Sequence, residues 1–163
     1  MNRLFNFVRF KLEKKNWYNY YDHVFFSYQT KFLGSLIFRG KKQNAYNLFL
    51  KVKESLKIKE QVDPSLVFLV ALLNITPQIN LKPMKMGSSL YGVPMPISET
   101  KKITLAIKWL FNIAKSKNKK IDTFVLVDLI ISSAYKKGDV IKKKMDYYSL
   151  AARNRFLIKK MFL

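Results

Sequence analysis

The sequence predicts a mainly α fold, a bundle of about six helices with one projecting β-hairpin. Apolar residues recur at three- and four-residue spacing through most of the 163-residue chain, as they do on the inner faces of packed helices. One segment, 64–75, is apolar on nearly every side, which is typical of a helix at the centre of a bundle. Between about 78 and 97, two short segments instead alternate apolar and polar residues, as the strands of a half-exposed ribbon do.

The first two helices are predicted for 23–38 and 41–58, with Gly40 between them as a helix breaker. The inward face of the first helix would carry Phe25, Tyr28, Phe32, Leu33 and Leu36. The inward face of the second helix would carry Ala45, Leu48, Phe49, Val52 and Leu56.

The third helix and the hairpin have clear boundary signals. Asp63 is a good N-cap and Pro64 a good first helical residue, and Pro77 stops the helix after Ile75. Strands are then predicted for 78–82 and 90–95, joined by a turn around 84–87. An isolated two-stranded ribbon is marginally stable in water, so we expect this hairpin to be ordered by what it touches.

Three more helices are predicted for 99–117, 121–135 and 139–161, joined by basic turns. On the first of these, Lys101, Lys108 and Lys115 recur every seven residues and should share one face. The opposite, inward face would carry Ile103, Ile107, Leu110 and Ala114.

The chain divides into an N-terminal basic and aromatic extension, residues 1–22, and a single helical domain, residues 23–163. The extension superficially resembles a transit peptide. We favour an arm, helical or extended, that inserts between RNA segments or packs on a partner.

The charge balance indicates a nucleic-acid partner. The chain has 31 basic and 10 acidic residues and a formal net charge of +21. Such a surface repels itself unless counter-charge is bound, and phosphate is the natural counter-charge. A basic protein on an anionic membrane is the alternative, but the longest apolar run, 66–73, is far shorter than a membrane span. We therefore expect no membrane partner.

Catalytic and metal chemistry have little support. The chain has no cysteine, which excludes disulfides and thiolate metal sites. Five residues separate Gly34 from Gly40, whereas a P-loop needs four. The single histidine, His23, has no evident catalytic neighbour, and the acidic residues are scattered. We expect neither an enzyme nor a cofactor, although a nucleic-acid enzyme remains a third possible class.

Several motifs, in order and at near-constant spacing, resemble the universal family of small-subunit ribosomal protein seven over roughly residues 22–162. The upstream pattern is K-F-x-N-x-L-M-x-x-G-K-K-x-x-A, the central ones F-x-V-A-L-x-N-x-x-P, Y-x-V-P and L-A-x-R-W. The matching residues are Lys31, Phe32, Gly40, Lys41, Lys42, Ala45, Phe68, Val70, Ala71, Leu72, Asn74, Pro77, Gly87, Tyr91, Val93, Pro94, Leu105, Ala106, Lys108 and Trp109. The likeness continues through Gly138, Lys142, Lys143, Lys144, Asp146, Ala151 and Asn154.

The resemblance, together with the basic groups, implies a set of rRNA-binding residues. These are Lys31, Arg39, Lys41, Lys42, Lys101, Lys102, Lys108, Lys115, Lys117, Lys119, Lys120, Lys136, Lys137, Lys142, Lys143, Lys144, Arg153 and Arg155. A lysine stripe is more often a solvated face, and Trp109 is more often a core aromatic than an RNA contact.

By the same resemblance the hairpin would lie near tRNA and mRNA, through Lys82, Met84, Lys85, Gly87 and Tyr91. The family has two arginines before its glycines, where this chain has Met84 and Lys85, so the charge of the tip is reduced. Tyr91 could stack on a base, but we expect it to pack across the ribbon at the hairpin root.

The resemblance further implies a role in the ribosome. The protein would bind the 3′ major (head) domain of small-subunit rRNA, nucleate head assembly, and line the tRNA exit site and the mRNA path. Its partners would be small-subunit ribosomal proteins nine and eleven, tRNA, mRNA and organelle-specific ribosomal proteins. Lysine outnumbers arginine 26 to 5, a bias typical of AT-rich coding. We expect a mitochondrial, organelle-encoded protein, with the plastid as the alternative.

Overall fold

The computed structural model describes residues 17–117 and 122–158, which form a helical bundle with one hairpin. The elements are α1 (Trp17–Leu36), α2 (Lys42–Glu60), α3 (Pro64–Ile75), β1 (Ile79–Met86), β2 (Ser89–Pro96), α4 (Glu99–Lys117), α5 (Thr123–Ala134) and α6 (Asp139–Arg153). The predicted fold class is confirmed, with six helices and one antiparallel hairpin in the described residues. None of these helices is long and apolar enough to cross a membrane.

Helix α3 is the centre of the bundle, as its composition predicted. It contacts each of the other five helices, and half of its twelve residues are buried, although Leu73 is exposed. The buried residues are Val67, Phe68, Leu69, Ala71, Leu72 and Ile75. The Asp63 carboxylate accepts a hydrogen bond from the Ser65 N–H at 2.9 Å, so the predicted N-cap is formed.

An aromatic cluster joins the first four helices. The Phe32 ring of α1 lies 5.7 Å from the Phe49 ring of α2, 5.1 Å from the Phe68 ring of α3 and 5.1 Å from the Phe111 ring of α4, measured between centroids. Aromatic pairs at this separation add to the stabilisation from burial. The cluster therefore fixes α1 against α4, the two helices that flank the basic groove described below.

Polar contacts hold the C-terminal ends of α3 and α5. The Asn74 side chain donates to the carbonyl oxygens of Ser133 and Ala134 at 3.1 and 2.9 Å, and so satisfies the end of α5. The Lys144 ammonium of α6 donates to the carbonyl oxygen of Asn74 at 2.6 Å. Asn74 thus links α3, α5 and α6, which gives a structural reason for this motif residue.

The hairpin pairs from Ile79↔Pro96 at its root to Met86↔Ser89 at its tip. The two-residue turn begins with Gly87 at φ +62°, as is common for glycine at the first central position of a hairpin turn. Both strands are longer than predicted and run to this turn. Pro83 interrupts neither strand, because in a two-stranded ribbon its missing N–H can face the open edge.

Helix α6 holds the root and the middle of the hairpin through side chains. The Tyr147 hydroxyl accepts from the Leu81 N–H at 2.6 Å, and the Tyr148 hydroxyl accepts from the Gln78 N–H at 2.8 Å. The Asn154 side chain donates to the Gly92 carbonyl oxygen at 2.9 Å. Since these bonds reach both strands, they fix the direction in which the hairpin leaves the bundle.

Helix boundaries differ from the predictions mainly at the chain's two ends. Helix α1 begins at Trp17, within the predicted extension, and ends at Leu36 rather than Phe38. No glycine or proline in 17–22 opposes a helix. Helix α6 ends at Arg153 rather than Met161, because Asn154 caps it and turns toward the hairpin.

The bounds of the other helices differ less from the predicted ones. Helix α2 continues to Glu60 and is closed by Gln61 in the left-handed conformation, and α5 runs from Thr123 to Ala134. The predicted helix 41–58 therefore shifts by one or two residues, and the bounds of α3 and α4 are confirmed. Residues 1–16, 118–121 and 159–163 lie outside the described residues, so most of the predicted extension is not tested.

Candidate nucleic-acid interface

A basic groove lies where α1, the hairpin root and α4 meet, with a volume of about 310 Å³. Its lining residues are Lys31, Asn80, Ile97, Thr100, Lys101, Thr104, Leu105 and Lys108. We call it the α1–α4 groove. Three of the predicted rRNA-binding lysines, Lys31, Lys101 and Lys108, therefore share one concave site. Lys31 is far from the other two in sequence, and the packing of α1 on α4 brings them together.

The chemistry of the α1–α4 groove suits a phosphate backbone. Its lining contains three ammonium groups and no carboxylate. All three lysines are exposed, so their charges remain available to a ligand. Lysines in such a position bind phosphates as point charges and set register without reading bases.

The predicted lysine stripe of α4 is confirmed as one face of that helix. Lys101, Lys108 and Lys115 are exposed. The predicted inward residues of the helix are all buried, namely Ile103, Ile107, Leu110 and Ala114. The stripe therefore runs from the α1–α4 groove along the outer surface of α4.

Trp109 belongs to the core, in agreement with the structural interpretation of this residue. It is buried, and its ring packs edge-on against Tyr147 at 5.0 Å between centroids. Lys108, the preceding residue, points into the α1–α4 groove. Trp109 thus connects the groove helix with the tyrosine that holds the hairpin.

Three of the predicted rRNA-binding lysines are already engaged within the protein. Lys102 pairs with Glu99 on its own helix, at 2.5 Å. Lys117 pairs with Asp139 at 2.7 Å, and this partner lowers the pKa of the Asp139 carboxyl. Lys144 is half-buried against the Asn74 carbonyl. Burial, and secondly the charge of Lys136, lower the pKa of Lys144.

The remaining basic residues form separate exposed groups. Arg39, Lys41 and Lys42 lie at the turn between α1 and α2. Lys136, Lys137 and Lys142 lie at the turn between α5 and α6, with Lys143 half-buried beside them. Arg153 and Arg155 are exposed at the end of α6. Lys119 and Lys120 lie outside the described residues.

The outer hairpin is mostly exposed. Lys82, Lys85 and Gly87 are exposed, and Met84 is half-buried. Tyr91 is 40% exposed and lies opposite Met84. The prediction that Tyr91 packs at the hairpin root is wrong, because the register puts this residue in the outer half of the ribbon.

Sequence reasoning missed the polar lining of the groove. Thr100 and Thr104 lie one helical turn apart, on the same side of α4 as Lys101 and Lys108. Helical spacing could have identified both threonines. Asn80 could not be found this way, because only the docking of the hairpin root brings it to α4. No group of three His, Cys, Asp or Glu residues suited to a metal occurs within residues 17–117 and 122–158.

Comparison with known proteins identifies the family of this chain. The profile of the family described as "Ribosomal protein S7p/S5e" matches residues 9–155. The protein named "Small ribosomal subunit protein uS7" in Mycoplasma mobile is 34% identical over 126 residues, which cover 77% of this chain and 81% of the relative. Proteins of the same name in Mycoplasmopsis agalactiae and Solidesulfovibrio magneticus are 35% and 34% identical, with the same coverage.

The family match covers the α1–α4 groove, the hairpin and the whole of α6, and the relatives cover 77% of the chain. They agree with the resemblance found in the motifs and leave no support for an enzymatic role. The chain belongs to the ribosomal protein S7p/S5e family, a family of structural, non-enzymatic constituents of the ribosome.

Proposed function

We propose that this protein is a constituent of the small ribosomal subunit that binds the 3′ major (head) domain of its rRNA and nucleates assembly of the head. The observation that carries this proposal is the α1–α4 groove, where Lys31, Lys101 and Lys108 converge without an acidic residue in the lining. Membership of the ribosomal family supplies the class of RNA. The exposed basic turns at both ends of the bundle supply further contacts.

The proposed mechanism is electrostatic and geometric. Each lysine that neutralises a phosphate releases condensed cations, which gives affinity but no sequence information. Specificity would come from spacing, because the aromatic cluster around Phe32 packs α1 against α4 and so sets the separation of the groove lysines. Only an RNA fold with phosphates at the matching separations would satisfy the groove and the two basic turns together.

The proposal extends to the hairpin, which would lie near the tRNA exit site and the mRNA path. Its support is the exposure of Lys82, Lys85 and Gly87 in a ribbon whose hydrogen bonds to α6, among the described residues, lie at its root and middle. The tip carries less charge than the family pattern. We therefore propose that the shape of the tip contributes more than its charge to its contacts with RNA.

The proposed protein partners are small-subunit ribosomal proteins nine and eleven, with organelle-specific ribosomal proteins around the N-terminal extension. The proposed location is the mitochondrion, with the plastid as alternative. The bias of 26 lysines to 5 arginines supports an AT-rich genome. Bacterial relatives at about a third identity are compatible with a bacterial as well as an organellar chain. Recovery in the small-subunit fraction of purified mitochondria would support the location, and recovery elsewhere would overturn it.

The test of RNA binding is a salt titration with the isolated head-domain rRNA and a tRNA competitor. We expect tight binding that survives competition and a steep fall of log K against log salt. Equal affinity for both RNAs would reduce the protein to a general polycation binder and overturn the proposal.

A matched pair of variants assigns the binding to the groove. In the double variant Lys101→Gln and Lys108→Gln, the slope of log K against log salt should fall by roughly 1.5, for two lost phosphate contacts. The control removes the same charge from exposed lysines of α2, with Lys51→Gln and Lys57→Gln. An equal fall of this slope in both double variants would contradict a role specific to the groove.

A further inference from the structure

The turn between α1 and α2 presents an aromatic ring to solvent. Phe38 is 69% exposed, although its neighbours in α1 and α2 supply much of the core. The Lys41 N–H donates to the Phe38 carbonyl oxygen at 3.1 Å, which closes a four-residue turn. The central residues, Arg39 and Gly40, have φ +51° and +74°. The backbone of the turn therefore holds Phe38 and Arg39 side by side, away from the core.

The two side chains of this turn are in contact through a cation and a ring. The Arg39 guanidinium carbon lies 5.1 Å from the centroid of the Phe38 ring, within the range of a cation–π contact. A guanidinium on one face of a ring that is so exposed leaves the other face open. An open aromatic face beside a planar cation is the arrangement on which unpaired nucleobases stack.

The charges around the ring favour RNA over a protein partner. Arg39, Lys41 and Lys42 are all exposed. Within the described part of the chain, no carboxylate forms an ion pair with any of them. Protein interfaces are enriched in aromatic residues and arginine but depleted of lysine, so it is Lys41 and Lys42 beside the ring that favour a base with its own phosphates.

We propose that Phe38 and Arg39 form a stacking platform for an unpaired base of the rRNA, with Lys41 and Lys42 neutralising the adjacent phosphates. This inference rests on the proposed rRNA binding and adds a second mode to it. The family pattern names the glycine and lysines of this turn but leaves the positions of Phe38 and Arg39 variable. The platform is therefore a property of this chain's own residues.

The experiment compares variants of the full chain for affinity to the head-domain rRNA. Phe38→Leu keeps an apolar side chain and removes the aromatic face, so we expect binding to weaken roughly 5- to 100-fold, the range for loss of one stacked base. Phe38→Trp should retain the affinity, and its fluorescence should be quenched when the RNA binds. Phe124→Leu is the control, because Phe124 is exposed to a similar extent, 67%, at the start of α5.

The outcomes separate this inference from the proposed function. If the unaltered chain binds the rRNA tightly but Phe38→Leu binds as well as Phe124→Leu, the platform is wrong and the proposed function stands. If the unaltered chain shows no preference for the head-domain rRNA, both fail. If Phe38→Leu binds the naked rRNA normally but is lost from assembled subunits, the ring meets a protein and the platform is overturned.

Discussion

The backbone N–H of Leu81 donates to the hydroxyl of Tyr147 at 2.6 Å, and that hydroxyl also lies 3.3 Å from the Asn80 side-chain oxygen. Asn80 lines the α1–α4 groove, and the Tyr147 ring packs on Trp109 of the groove helix. One tyrosine therefore touches both the groove and the hairpin. The direction of the hairpin and the shape of the groove are linked through this side chain.

The first prediction concerns this hydroxyl. Tyr147→Phe keeps the ring but leaves the partly buried Leu81 N–H without its acceptor, which should cost about 1–2 kcal/mol of unfolding free energy. Urea denaturation measures that loss. Amide hydrogen exchange at Leu81 should also become faster. The matched control is Tyr46→Phe, since Tyr46 is exposed on α2 and should change neither quantity.

A distance measurement tests whether Tyr147 also sets the direction of the hairpin. The chain has no cysteine, so spin labels can be placed at Ser88→Cys in the turn and Asn112→Cys on α4. We expect the distance distribution between the labels to broaden when Tyr147→Phe is added. An unchanged distribution would restrict Tyr147 to a contribution to stability.

The second prediction separates neighbouring lysines on α4. Lys101 is exposed in the α1–α4 groove, whereas Lys102 pairs with Glu99 and its side chain is only 15% exposed. Lys101→Gln should weaken binding to rRNA and lower the salt slope by about 0.7–0.9, the value for one phosphate contact. Lys102→Gln should leave both nearly unchanged. A larger loss of binding in Lys102→Gln than in Lys101→Gln would contradict the assignment of the groove.

The third prediction concerns pH. Burial lowers the pKa of Lys144 in the folded protein. Between this lowered value and the ordinary pKa of lysine, the unfolded chain binds more protons, so the free energy of unfolding should rise with pH. Lys144→Met removes the titrating group. As pH rises, the free energy of unfolding of the unaltered chain should therefore increase relative to that of the variant.

Urea denaturation at a series of pH values from neutral upward measures this difference. Tyr135 and Tyr147 have raised pKa values. Their contribution to the free energy of unfolding falls at high pH, which is opposite to the trend from Lys144. Both proteins share this contribution, so it cancels in the difference between them. A difference that stays flat with pH would mean that Lys144 is not buried in solution.

The fourth prediction compares two glycines. Gly138 has φ +88° and ψ 179°, and an added Cβ would meet the Ser132 hydroxyl at 2.8 Å. Only glycine adopts this region readily, so Gly138→Ala should lower the unfolding free energy by about 1–3 kcal/mol. Gly34 lies within α1, and an added Cβ would meet nothing within 4 Å.

Gly34→Ala should therefore stabilise the protein by roughly 0.5–1 kcal/mol, because alanine loses less backbone entropy in a helix. Thermal denaturation of both variants makes the comparison. Destabilisation of similar size in both would show that the left-handed backbone at Gly138 is not the cause.

The fold was predictable where local chemistry decided the outcome. Asp63 and Pro64 begin α3 and Pro77 ends it, so its bounds could be read directly. The inward face of α4 followed from spacing alone. The three consecutive lysines 142–144 form one basic run in the sequence, but successive helical residues point about 100° apart. Only Lys144 therefore reaches the Asn74 carbonyl, a distinction that the spacing already contained.

Other features depend on contacts between distant parts of the chain. The α1–α4 groove needs Lys31 beside Lys101, which only the packing of the aromatic cluster produces. The hydroxyls of Tyr147 and Tyr148 bind backbone N–H groups of the hairpin, and such contacts leave no periodic pattern in the sequence. The outer position of Tyr91 followed from the register, which the turn at Gly87 sets.

The anchors of the hairpin have a consequence for synthesis. Tyr147 follows Leu81 by 66 positions, and Tyr148 and Asn154 come later still. The ribbon of β1 and β2 is therefore synthesised before its anchors exist, and a lone ribbon is only marginally stable in water. The hairpin gains its fixed direction only when the final helix has been made. A nascent chain that stops short of α6 would carry the basic groove without an oriented hairpin.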